Sequence, residues 1–160
     1  MDFHGLRKYI YDGLKKLFEQ SETRDAIMEM HGSNDDSEYN KNKLKDKLLS
    51  IGGHTVMFGL DTEREMLRMI NDGQVHKAKV FKISGQRNRC HSNVACYYKT
   101  LSPKGFKIMT GYALSDGMWI QHTWGKVDEK LIETTPIDWE IYYGYELTKE
   151  EAQDFYFDNY

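Results

Sequence analysis

Cys90 is the residue best placed for chemistry. It stands where a polar, glycine-containing approach, Ser84-Gly85-Gln86-Arg87-Asn88-Arg89, runs into a segment of helical character. A thiol at a helix start feels the positive end of the dipole and free backbone N–H groups, and Arg87 and Arg89 add positive charge. Each effect favours the thiolate, which is the nucleophilic form, and the same N–H groups suit an oxyanion beside the sulfur. Cys96 lacks this setting. It falls mid-helix between Ala95 and Tyr97 and is expected to be a core residue.

The second candidate is His122, within Trp119-Ile-Gln-His-Thr-Trp124, a strand-like run rich in large apolar groups. A lone histidine there is usually a core or surface residue, but the following strand changes the reading. A two-residue turn at Asp128-Glu129 pairs position 127 with 130 and 122 with 135. Glu133 then lies diagonally from His122 on the same sheet face, within side-chain reach. A carboxylate in that place fixes the imidazole in one tautomer and stabilises its protonated form. Nucleophile, base and orienting acid thus arise as Cys90, His122 and Glu133.

Four further residues fit a substrate-binding role. Gln86 lies upstream of the cysteine, Asn93 is one turn beyond it, and Trp119 and Trp124 flank the histidine. His91 points about 100° away from Cys90 on one helix and does not share its direction. Cys90, His91, Cys96 and His122 are all zinc-type ligands, yet no Cys-x-x-Cys or His-x-x-x-His spacing joins them, so no metal site is expected. The chain carries no phosphate-binding glycine loop and no dinucleotide fingerprint, and no cofactor is expected.

A cysteine on a helix followed by a histidine and an acid on successive strands resembles the papain-like and transglutaminase-like cysteine hydrolases. Cys90-His-Ser-Asn93, Gly111-Tyr-Ala-Leu114, His122-Thr-Trp124 and Leu131-Ile-Glu-Thr-Thr-Pro136 look like a group of uncharacterised proteins within that pattern. The likeness spans about a third of the chain, and residues 1–80 contribute nothing to it. It implies Cys90 as nucleophile, His122 as base and Glu133 as orienting acid. This chain has Glu where Asp or Asn is more usual, and Gln86 stands closer to the cysteine than papain's oxyanion glutamine does.

The elements that must position these residues follow from periodicity and composition. The chain of 160 residues is 39% hydrophobic, enough for one domain with its own core. We read 1–74 as mainly helical and 75–160 as the α+β core carrying the site. Helices are expected over 3–19, about 21–30, around Leu44, Leu48 and Leu49, and from a Thr62/Glu65 capping box through Leu67 and Ile70 to Asn71-Asp72-Gly73. The stretch 31–37 reads as a loop. Residues 75–82 form an imperfect strand and 88–101 a helix. Strands at 106–114 and 118–127 are joined by Ser115-Asp116-Gly117, whose Asp-Gly pair signals a hairpin. A strand over 130–134 follows, and a Thr148/Glu151 box opens a closing helix that buries Phe155. The layout is α+β: helices, then one helix leading into an antiparallel meander.

Net charge is -3 and the pI is about 6.1, with both signs interleaved, which argues against a nucleic-acid partner. No apolar run reaches membrane-span length, and Met-Asp-Phe-His does not open a signal peptide. On one helix, Cys90 and Cys96 would stand about 240° apart around the axis and roughly 9 Å along it, too far for a disulfide. Two free thiols point to a reducing compartment, so the cytoplasm is expected. The leading function is cysteine-dependent acyl transfer: peptidase, amidase, deamidase or transferase. The alternatives are a binding protein with an aromatic pocket for a small ligand or partner protein, and an interaction module docking through its helical first half. Richness in Lys, Asn, Tyr and Ile suggests an AT-rich genome and permits a role in phage or bacterial defence.

Overall fold

The computed structural model describes residues 35–59 and 61–160. The chain divides into two compact units, residues 1–39 and 40–160, and the second carries every candidate residue. The helices expected over 3–19 and 21–30 lie outside the described residues.

Helix α1 (Asp35–Ile51) already covers the end of the stretch 31–37 expected to be a loop, of which 31–34 lie outside the described residues. Leu44 and Leu48, one turn apart, are fully buried, and Gly53 leaves the helix with φ 76°. Strand β1 (Thr55–Met57) follows. Helix α2 (Glu63–Asp72) opens on the expected Thr62/Glu65 capping box. It buries Met66, Met69 and Ile70, while Leu67 is exposed.

The expected strand over 75–82 is two strands, β2 (Gln74–His76) and β3 (Lys79–Lys82). Helix α3 (Cys90–Leu101) starts two residues later than expected, because Asn88 takes a left-handed φ of 57°. A 3₁₀ turn leads to β4 (Lys107–Ser115), β5 (Met118–Val127) and β6 (Lys130–Glu133). Asp116 and Gly117 both have positive φ, the geometry of the turn that Asp-Gly signals. Strand β7 (Ile141–Glu146), not anticipated from the sequence, is followed by α4 (Lys149–Asn159), which opens on the Thr148/Glu151 box.

The protein is α+β, but the sheet is mixed rather than a plain meander. Its order is β2-β7-β4-β5-β6-β3, with β1 beside the first half of β5. The β1–β5 and β3–β6 pairs are parallel and the others antiparallel. β2 and β3 lie at opposite ends of that order, yet only Lys77 and Ala78 separate them, so the sheet must curl until its ends meet. Inside the curl, Met109, Ala113, Trp124, Leu131 and Tyr142 pack with Ala78 and Trp139. On the outer face, one cluster joins α1 and α2 to Tyr112, Leu114, Trp119 and Tyr143, and another joins α3 and α4 to Phe106 and Ile108. Among the described residues, no helix is long and apolar enough to cross a membrane.

Candidate active site

The hairpin between β5 and β6 sets the geometry. Val127 pairs with Lys130 and Gly125 with Ile132, the register required by a two-residue turn. His122 and Glu133 therefore share the inner face, and His122 Nε2 lies 2.9 Å from Glu133 Oε2. Both side chains are buried, Glu133 completely. The carboxylate is fully engaged. Its Oε2 also accepts from the Tyr142 hydroxyl at 2.9 Å, and its Oε1 accepts from the Thr135 N–H at 2.6 Å and the Thr135 hydroxyl at 2.7 Å. Trp139 Nε1 donates to Thr135 Oγ1 at 3.3 Å, and its ring centroid lies 4.7 Å from the imidazole.

The strand partners of the histidine make room for this packing. Gly111 faces His122 on one side and Gly144 on the other. A Cβ on Gly144 would lie 2.9 Å from Trp124 Cη2, so the indole occupies the space that the missing side chain leaves. Trp124 stacks beside the imidazole at 6.1 Å, with 18° between the ring planes.

Cys90 is the first residue of α3 and lies near enough to His122 for the imidazole to act on its thiol. Burial pushes the Cys90 thiol up. The hydrogen bond and charge of His122, with the backbone N–H groups of Thr123 and His91, outweigh burial and bring it down. Burial likewise opposes the imidazolium, but Cys90 and Glu133 push His122 up to about 9. Glu133 is held below the usual carboxylate range by His122 and Thr135 despite its burial. The three directions all favour the thiolate–imidazolium–carboxylate form.

The other candidates divide. Gln86 is exposed on the approach to Cys90. Asn93 is buried, and its amide is spent on backbone groups: Oδ1 accepts from Gln86 N at 2.9 Å, and Nδ2 donates to Gln86 O at 2.7 Å and Thr134 O at 3.1 Å. It lines no open surface, contrary to the substrate role expected of it. Trp124 lies against the imidazole but is fully buried. Trp119 is not brought to the site. It is an odd number of residues from His122, so it faces the outer side of the sheet, where its indole N–H donates to Gly52 O at 2.7 Å. Cys96 is exposed, not core. Helix α3 buries the stripe through Val94 with Tyr97, Tyr98 and Leu101 packed against it, and that turns position 96 outward.

The sequence reading missed Tyr142, Thr135 and Trp139. The alternating aromatic run Ile141-Tyr-Tyr-Gly-Tyr-Glu146 was a strand signal that could have found the first. Among the described residues, no three His, Cys, Asp or Glu side chains are grouped to hold a metal ion.

A cleft of about 580 Å³ has His91 and Gln121 in its wall, but Cys90, His122 and Glu133 do not line it, and Gln121, an odd number of residues from His122, faces the outer side of the sheet. Gln121 is fixed there by Asp61, whose Oδ1 accepts from Gln121 Nε2 at 2.5 Å. Arg68, Tyr145 and Glu151 form the far wall. No protein-family model, curated protein or solved structure matches the chain.

Proposed function

We propose that this protein is a cysteine-dependent acyl-transfer enzyme with the helix–strand–strand layout of the papain-like and transglutaminase-like hydrolases. The observation that carries the reading is His122 hydrogen-bonded to Glu133, whose acid has every oxygen occupied by donors, with Cys90 at the start of α3 close enough to His122 for the imidazole to lower its thiol pKa. An imidazole hydrogen-bonded to a satisfied buried carboxylate stays protonated and in one orientation, as an activated thiol needs.

The reaction follows from the charges. The Cys90 thiolate attacks an amide or ester carbonyl, and the backbone N–H groups at the start of α3, which has no side-chain cap, stabilise the oxyanion. The His122 imidazolium gives its proton to the leaving amine or alcohol and leaves an acyl group on sulfur. Neutral His122 then takes a proton from water or an acceptor amine, which attacks the thioester and restores the thiolate. For the pocket-binder alternative, Trp119 and Trp124 are both fully buried and supply no open aromatic wall.

The test is acylation with an activated ester such as p-nitrophenyl acetate, read by intact and peptide mass spectrometry. One acetyl group is expected on Cys90, formed fastest near neutral pH and absent from Cys90→Ala. Acetylation of Cys96 and surface lysines alone, with Cys90 untouched, removes the enzyme reading.

A further inference from the structure

We propose that Asn93 is a positioning residue that sets the distance between nucleophile and base by tying the approach to Cys90 onto the strand end that holds Glu133. The inference rests on the reading of Cys90 as a thiolate paired with His122. Asn93 is the fourth residue of α3, one turn from Cys90. Its three hydrogen bonds go to both backbone groups of Gln86, four residues before the thiol, and to the carbonyl of Thr134, one residue after the acid.

Two observations show why this joint matters. The loop leaves β3 already anchored to the acid, because Ile83 N donates to Glu133 O at 2.8 Å. Between there and Cys90 it has no strand or helix of its own, and Asn93 pins its middle. The clamp is also tight. A Cβ on Gly85 would lie 2.0 Å from Thr134 O and 2.7 Å from Asn93 Nδ2, so the backbone itself presses against strand end and amide. Holding a peptide by both its N–H and its C=O while reaching a second carbonyl requires one acceptor and two donors, which a side-chain amide supplies. Thr135 and Tyr142 hold the acid, and the acid holds the imidazole, but neither reaches the thiol's helix. Asn93 makes that connection, and a misplacement of about 1 Å at a reacting centre costs on the order of 100-fold.

The experiment is the pH profile of Cys90 alkylation by iodoacetamide in the full chain, for wild type, Asn93→Ala, His122→Ala and the double variant. Asn93→Ala is expected to raise the apparent thiol pKa, slowing labelling about tenfold per unit below the pKa. In the His122→Ala background it should change little, because the pair it positions is gone. Asn93→Ser, which keeps one hydroxyl, should move the profile the same way by less, and it carries the test if the alanine variant does not fold. An unchanged profile in folded Asn93 variants overturns the inference and leaves the functional reading standing. Equal slowing with and without His122 also overturns it, since Asn93 then shapes the helix start rather than the pair. A wild-type profile without a depressed pKa overturns the functional reading and this inference with it, and is recognised before any variant is made.

Discussion

The starts of α2 and α3 are built in opposite ways. At α2, Thr62 and Glu65 satisfy each other's backbone N–H groups, with Thr62 in extended conformation at ψ 160°. The start of α4 repeats the device with Thr148 and Glu151. At α3 the N-cap is Arg89, with ψ 43° and no side-chain cap, and no acid stands in the first turn. A capping carboxylate there would put negative charge beside a thiolate. Leaving the N–H groups free forgoes about 1 kcal/mol of helix stability and keeps a positive field at Cys90. The boxed ends serve the fold, and the open end serves the thiol.

That contrast predicts which substitutions alter stability and which alter reactivity. The largest expected loss is at Glu133, where both concerns meet. Glu133→Ala should cost about 3–5 kcal/mol in urea unfolding, because it strands a buried imidazolium. The same pair gives stability a pH window. The folded pKa of Glu133 is lowered, so its contribution is present above the unfolded carboxylate range and is lost as pH falls through the folded value. The pKa of His122 is raised to about 9, so its contribution is complete below the unfolded value of about 6.5 and is lost as pH rises through about 9. A His122→Ala protein whose melting temperature keeps the wild-type fall across the alkaline limb would contradict this assignment.

Reactivity should follow the open helix end. His122→Ala is expected to slow alkylation of Cys90 at about pH 6 by tenfold or more, with exposed Cys96 as internal reference. Arg89→Asp tests the helix-start contrast directly, since it places an acid where α3 has none. It should slow Cys90 labelling severalfold while changing unfolding free energy by no more than about 1 kcal/mol. Labelling that accelerates instead would mean the helix field does not govern this thiol.

The boxed ends predict the converse. Thr148→Ala should cost about 1 kcal/mol of stability and leave the Cys90 alkylation profile where it was. The smallest effect belongs to Cys96→Ser, expected within about 0.5 kcal/mol of wild type because the side chain is exposed. A large loss there would return Cys96 to the core.

Much of the site was legible in the sequence because it depends on short-range rules. Both capping boxes and the Asp-Gly turn are local hydrogen-bond and φ/ψ preferences, readable from a few adjacent residues. The meeting of His122 and Glu133 needed only a two-residue turn and the period of two along a strand. The same parity separates Trp119 from His122, so its placement outside the site was readable too. Tertiary structure decided what depends on distant segments. Strand β7 lies between β2 and β4, and only that insertion brings Tyr142 to the acid. Helical spacing gives Cys96 a direction relative to Val94, but which side is covered depends on where Phe106, Ile108 and α4 pack. Asn93 reads as a polar residue one turn from a thiol until the 84–89 loop and Thr134 close around its amide. Local sterics and hydrogen bonds fix an element and its faces, whereas burial against remote residues determines what each face meets.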